Sequence, residues 1–166
     1  PDNPFANRDP RLDMTVAHAG SLWFGRYYTA LDPQINGVSN PDYYLNDGSK
    51  AGQMGKKYLD PFIENAERQN FDANIMIIRL AEMYLTYAEA AVELGINTDI
   101  ALGYINLLRK RAGHIEAASL TRELVRRERR VELALEGLRY FDIKRWDLGP
   151  TVMNGPYYGS RLGSVD

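Results

Sequence analysis

Between residues 73 and 147 the apolar positions repeat with a helical period. At about 100° per residue, Ile77, Leu80, Ala81, Tyr84, Leu85, Tyr87, Ala88, Ala91 and Val92 fall on one wide arc, with Glu82, Thr86, Glu89 and Glu93 on the narrow arc opposite. The pattern predicts a mostly buried helix with an acidic stripe. Gly95 suits its C′ position, and Asn97 or Thr98 can cap the next helix. That helix runs from about Asp99 to Ala112, with Ala101, Leu102, Ile105, Leu108 and Ala112 inward and Gly113 ending it. So short a turn predicts an antiparallel helical hairpin over Ile75–Ala112. A third helix starts near Thr121 as N-cap, with Leu124, Val131, Leu135 and Leu138 as its apolar arc. Glu128 and Glu132 sit at the edge of that arc, and Arg122, Arg126, Arg129 and Arg130 lie on the far side.

Residues 1–72 follow another grammar. They hold 6 of the 8 Pro and 5 of the 11 Tyr, whereas 73–147 hold no Pro at all. Turn signals recur at Asn36-Gly37, Asn40-Pro41, Asp47-Gly48 and Asp60-Pro61, separated by short aromatic runs. Long loops with a small β-hairpin around Asp47-Gly48 are expected. From 148 to 166 the chain reads as an irregular tail. The fold class is therefore mainly α: a helical hairpin and a third helix, with long irregular loops. Residues 1–166 are expected to form a single domain belonging to a longer protein: a loop-rich part (1–72), a helical part (73–147) and the tail (148–166).

Composition narrows the chemistry. The 166 residues include no Cys, which excludes disulfides, thiol nucleophiles and thiolate metal sites. Twenty Lys+Arg against 22 Asp+Glu gives a net charge of −2 and no electrostatic case for nucleic acid. The segment 121–145 is locally basic, but Glu123, Glu128, Glu132 and Glu136 interleave its arginines at helical spacing and compensate them. One arrangement this permits is pairing of Glu82 and Glu89 with arginines of the third helix.

No motif marks catalysis. His18 and His114 lack partner patterns and read as structural or surface residues. There is no nucleophile elbow and no phosphate-cradling loop, and Asp42 to Gly48 lacks the carboxylate spacing of a calcium loop. A glycosidase needs a marked carboxylate pair, and nothing singles one out among Asp9, Asp13, Asp32 and Glu64. No cofactor and no metal site are expected.

The loop aromatics stand apart. Trp23, Tyr27, Tyr28, Tyr43 and Tyr44 lie in turn-rich sequence, where rings with an apolar face and a hydrogen-bonding edge suit the C–H face and hydroxyl rim of a sugar. Arg26 and Asp42 are candidate hydroxyl partners. The alternative is that these rings pin the loops and form a satellite core.

Three ordered blocks carry a resemblance. They are Ile78-Arg79-Leu80-Ala81-Glu82-Met83-Tyr84-Leu85-Thr86-Tyr87-Ala88-Glu89-Ala90; Ala101-Leu102 to Ile105-Asn106 with Arg109-Lys110-Arg111-Ala112-Gly113; and Arg127-Glu128-Arg129-Arg130-Val131-Glu132-Leu133-Ala134-Leu135-Glu136-Gly137 followed by Arg139-Tyr140-Phe141-Asp142-Ile143-Lys144-Arg145-Trp146. With Asp9-Pro10-Arg11-Leu12 and Lys57-Tyr58 they resemble the C-terminal region of the SusD/RagB family of outer-membrane nutrient-binding lipoproteins, over most of residues 9–147.

The resemblance implies a helical fold with tetratricopeptide-like helix pairs and no enzymatic activity. It also implies a lipid-anchored protein on the outer membrane of Bacteroidetes that delivers a glycan or oligosaccharide to a TonB-dependent, SusC-like transporter. Some branches take peptides instead. The family's signal peptide, lipidated Cys and N-terminal portion have no counterpart in these residues, so the chain resembles a piece of such a protein. The matched Glu and Arg residues are expected to be scaffold rather than ligand contacts. Two further classes stay open: a helical scaffold whose ligand is another protein, and a carbohydrate-active enzyme.

Overall fold

Alanine makes the helical hairpin possible. Helix α2 (Leu80–Leu94) turns Ala81, Leu85, Ala88 and Ala91 toward α3 (Thr98–Arg111), which answers with Ala101, Ile105 and Leu108. Four small side chains in that interface let the two helices approach closely, and Leu85 and Ile105 are completely buried in the same cluster. Gly95 ends α2 in the left-handed conformation, φ 67°, and its N–H bonds Ala91 O. This is a geometry that a Cβ would disfavour. Asn97 takes the N-cap position of α3 with φ 50°, but its side chain makes no capping bond, unlike the expected cap.

This computed structural model describes residues 5–46, 49–59, 74 and 76–156. The expected hairpin tip Asp47-Gly48, the turn Asp60-Pro61, and Glu64 and Ile75 lie outside the described residues. Two compact units divide the chain: a loop unit of Pro1–Asn7, Leu12–Asn74 and Asn154–Asp166, and a helical unit of Arg8–Arg11 and Ile75–Met153.

In the helical unit, Thr121 caps α4 (Arg122–Glu132) by accepting from Leu124 N–H at 3.1 Å, as its position predicts. The third helix is shorter than its apolar arc suggested. It ends at Glu132; Leu135 sits exposed in the left-handed region at φ 65°, Gly137 follows at φ 77°, and Leu138 opens α5 (Arg139–Arg145). A residue with positive φ cannot continue a helix, so the regular spacing of Val131, Leu135 and Leu138 is broken by backbone geometry. Helix α6 (Gly149–Met153) begins the tail.

The first helix also departs from its predicted face. Ile77, Leu80 and Tyr87 are exposed, so the buried arc of α2 is narrower than the hydrophobic pattern suggested. Leu80, Met83, Tyr87 and Leu94 form an exposed apolar row instead, joined to α3 by Tyr104, which stacks on Tyr84 at 4.5 Å and meets Tyr87 edge-on at 5.3 Å.

The loop unit is built from two-residue strands. It contains β1 (Val16–Ala17), β2 (Leu22–Trp23), β3 (Arg26–Tyr27), β4 (Gln34–Ile35), β5 (Val38–Ser39) and β6 (Met54–Gly55). They pair antiparallel as β1–β6, β2–β3 and β4–β5. Helix α1 (Arg11–Thr15) leads into β1, and its first residue counts with the helical unit. Both tight hairpins turn through two residues of positive φ, Phe24-Gly25 and Asn36-Gly37. That is the type I′ geometry whose twist matches the strands. Asn36-Gly37 supplied that signal in the sequence; Phe24 did not, because a bulky residue rarely adopts this conformation. Phe24 is held there against Trp23, ring centroids 4.3 Å apart and nearly perpendicular.

Candidate functional site

Period-two alternation along β2 and β3 sorts the candidate residues. Trp23 and Arg26 are register partners on one side of the hairpin, and Leu22 and Tyr27 on the other. Trp23 is 3% exposed and packs with Ala17, Tyr28 and Ala30 in the unit's small core, flanked by Phe24 and Met54. Tyr28, one residue beyond β3, is also fully buried. Tyr27 faces solvent, 73% exposed. Of the three candidate rings in this run, Trp23, Tyr27 and Tyr28, the pleat therefore displays one.

Arg26 and Asp42, the two proposed hydroxyl partners, bond each other. Arg26 Nη2 donates to Asp42 Oδ2 at 2.5 Å, with the Asp42 side chain almost wholly buried. Burial raises the Tyr28 phenol pKa, and the charge of Asp42 raises it further. The ion pair thus ties the 26–28 segment to the 42–44 segment. Tyr44 N–H adds a bond to Ala30 O at 3.0 Å. Tyr43 and Tyr44 are half-buried and meet edge-on at 4.8 Å. A side-chain hydrogen bond with Tyr44 raises the Tyr43 pKa. Trp23, Tyr28, Arg26 and Asp42 are accordingly brought into one inward cluster, while Tyr27 is turned away from it.

Asn40 organises these loops and was not singled out beyond its turn signal with Pro41. It is completely buried. Its Nδ2 donates to Thr29 O at 2.8 Å and Asp32 O at 2.7 Å, and its Oδ1 accepts from Asp42 N–H at 3.0 Å. A short amide that satisfies three backbone groups is a turn clasp, which composition alone does not separate from any other loop Asn.

The remaining polar candidates have structural occupations. His18 stacks on Phe5 with centroids 4.0 Å apart, and its Nε2 lies 2.5 Å from Asp13 Oδ1. His114 Nδ1 lies 2.8 Å from Arg109 Nη2. Asp32 accepts from Gln34 N–H at 3.0 Å, and Asp9 grips Arg11.

In the helical unit the buried face of α4 is largely ionic: Val125, Glu128, Arg129 and Glu132, at helical spacing. Arg129 lies on the far side of the expected apolar arc, yet it is buried because Asp142 of α5 binds its Nε through both carboxylate oxygens at 2.9 and 3.0 Å. Glu128 accepts from Arg11 at 2.5 Å and Arg109 at 2.9 Å. Glu132 accepts from Arg79 at 2.7 Å, from Arg11 at 3.0 Å and from Arg111. Arg79 also clamps Glu136 at 2.7 Å. The acidic stripe of α2 is consumed in the same way. Glu82 lies 3.9 Å from Arg129, Thr86 3.4 Å from it, and Glu93 binds Arg122 at 2.6 Å. Glu89 binds Arg145 and, at 2.5 Å, the indole N–H of Trp146. Pairing of Glu82 and Glu89 with arginines was expected on the third helix; Glu89 finds its partner on α5 instead. Each of these charges is held in a pair with an opposite charge of the helical unit.

Comparison with known proteins places this geometry. The model of the SusD family matches residues 1–163. A SusD-like protein of Bacteroides ovatus is 38% identical over 84 residues, which is 48% of this chain and 15% of the relative. The crystal structure of a SusD-like protein from Bacteroides fragilis superposes with a TM-score of 0.71 at 33% identity, over 89% of this chain and 29% of that one. A SusD-like carbohydrate binding protein, also from Bacteroides fragilis, gives 0.66 at 35% identity, over 88% of this chain and 30% of its own. The chain thus spans less than a third of the length of each of these relatives. With matched blocks in order and the helical hairpin superposed, the chain belongs to the SusD family.

Proposed function

We propose that this chain contributes to non-catalytic binding of glycans or oligosaccharides at the cell surface, as part of an outer-membrane lipoprotein that passes its ligand to a SusC-like TonB-dependent transporter. Membership of the SusD family, with a structural neighbour described as carbohydrate binding, is the observation that carries the reading. The site belongs to the loop unit. Tyr27, Tyr43 and Tyr44 are its contact rings, and Trp23, Tyr28, Arg26 and Asp42 are the buried base that holds the loops in place. A ring stacked on a sugar needs a fixed orientation, and the Arg26–Asp42 pair with the Asn40 clasp supplies one. Titration of the chain with soluble polysaccharides and peptide pools, followed by isothermal titration calorimetry, tests it. Saturable binding of a glycan is expected. Binding of peptides alone would assign the chain to a peptide-taking branch, and silence with intact helical circular dichroism would overturn the site.

A second reading rests on α2. Leu80, Met83, Tyr87 and Leu94 are spaced by three, four and seven residues and are exposed, which is the spacing of a seam against another helix. In that reading the helical unit is a scaffold whose ligand is protein. Sedimentation of the chain with Tyr87→Asp separates the two, since self-association lost in the variant favours the scaffold.

A further inference from the structure

We propose that Leu22 and Tyr27, on the outward side of the β2–β3 hairpin, form the platform for a single ring of an uncharged, pyranose-based glycan. The inference rests on the glycan-binding reading and adds to it a contact residue, Leu22, and a ligand class. The two residues are direct cross-strand partners, which sets their Cβ atoms about 5 Å apart. They are 64% and 73% exposed. An aliphatic side chain beside a phenol ring makes one apolar surface of about the width of a sugar ring, with the phenol hydroxyl at its rim for a hydrogen bond.

The other side of the hairpin keeps that surface in place. Trp23 is buried under it, Phe24 packs on Trp23 at the turn, and Arg26 is fastened to Asp42. Charge selects the ligand. Neither platform residue is charged, and the Arg26 guanidinium points to the opposite side and is neutralised by Asp42 at 2.5 Å. A uronate or sulfated sugar would meet no compensating cation on the platform, whereas a neutral ring with a C–H face is matched by it.

The test is affinity electrophoresis of the whole chain in gels containing a soluble β-glucan, a galactomannan or polygalacturonate. Tyr27→Ala and Leu22→Ser are run beside Val38→Ser, an exposed apolar residue of the neighbouring hairpin. Near-ultraviolet circular dichroism of each variant verifies that the Trp23 core is intact. Retardation by a neutral glycan is expected, weakened about ten-fold in apparent affinity by Tyr27→Ala, less by Leu22→Ser and unchanged by Val38→Ser. Equal retardation of all variants would overturn the platform and leave the glycan reading standing. Retardation by polygalacturonate alone would overturn the neutral class. No retardation of the unaltered chain in any gel would remove the glycan reading and the platform with it.

Discussion

Arg11 Nη1 lies 2.5 Å from Glu128 Oε1, joining residues 117 positions apart in the chain. The same nitrogen reaches Glu132 at 3.0 Å, and Asp9 holds the far edge of the guanidinium at 2.7 and 2.9 Å. Arginine suits this place because its planar fork can serve three carboxylates at once, which a lysine ammonium cannot do with the same geometry.

Removing that guanidinium should be costly. Arg11→Met is expected to destabilise the helical unit by about 3 kcal/mol, because Glu128 and Glu132 stay buried with one cation fewer. Urea denaturation followed at 222 nm checks it. A double mutant with Glu128→Gln should lose less than the sum of the single changes, since the two residues share one interaction.

Acid should weaken the same cluster. The hydrogen bond from Arg11 is the largest influence on Asp9 and lowers its pKa from 3.8 to about 2. For Glu132, burial works against ionisation, but the bonds from Arg79 and Arg11 outweigh it and leave its pKa lowered too. A carboxylate with a depressed folded-state pKa stabilises fully above its unfolded value and loses that contribution as pH falls through the folded one. The Asp9 contribution is therefore present above about pH 4 and disappears toward pH 2. The urea midpoint of Asp9→Asn should change less between those limits than that of the unaltered chain.

Tyr28 offers a cleaner test of the loop core. Its hydroxyl is buried and makes no hydrogen bond among the described residues. Tyr28→Phe removes an unsatisfied polar atom and leaves the ring packing alone, so stability should stay within about 0.5 kcal/mol or rise. Loss of more than that in a denaturant titration would reveal a partner for the hydroxyl.

Trp23→Ala should behave in the opposite way. A buried indole truncated to a methyl leaves a cavity worth about 3–5 kcal/mol. Near-ultraviolet circular dichroism from the loop unit should collapse while the helical signal at 222 nm persists. Loss of glycan retention in this variant would then report on the base of the loops rather than on a sugar contact.

Leu135 carries strain that can be relieved. Its exposed side chain contributes little packing, and its φ of 65° costs a branched residue about 1–2 kcal/mol. Leu135→Asn should stabilise the helical unit by about 0.5–1 kcal/mol, read as a higher thermal midpoint.

Local codes were the legible part. Gly95 at the end of α2, Thr121 at the start of α4 and Asn36-Gly37 in a hairpin each work through the backbone of their immediate neighbours, so the residue type nearly dictates the conformation. The alanine-lined interface of α2 and α3 was legible for a related reason, since its partners are brought together by one short turn. The matched blocks carry part of that interface, Ala81, Leu85 and Ala88 of α2 with Ala101 and Ile105 of α3.

Long-range pairing decided the rest. Charge marks a side chain as exposed until a counter-charge is delivered by another element. Glu128, Arg129 and Glu132 could be buried only because Arg11, Arg79, Arg109 and Asp142 arrive from four other places in the sequence. The aromatic loops show the converse. Trp23 and Tyr27 look alike in a run of turn-rich sequence, yet the register of β2 against β3 buries one and presents the other. The sequence by itself determined the helical hairpin, its stop at Gly95, the start of α4 at Thr121 and the family to which the chain belongs, because those are properties of neighbouring residues. Only the tertiary structure decided which charges form the interior and which ring faces solvent, because burial is a property of what the rest of the chain brings to each residue.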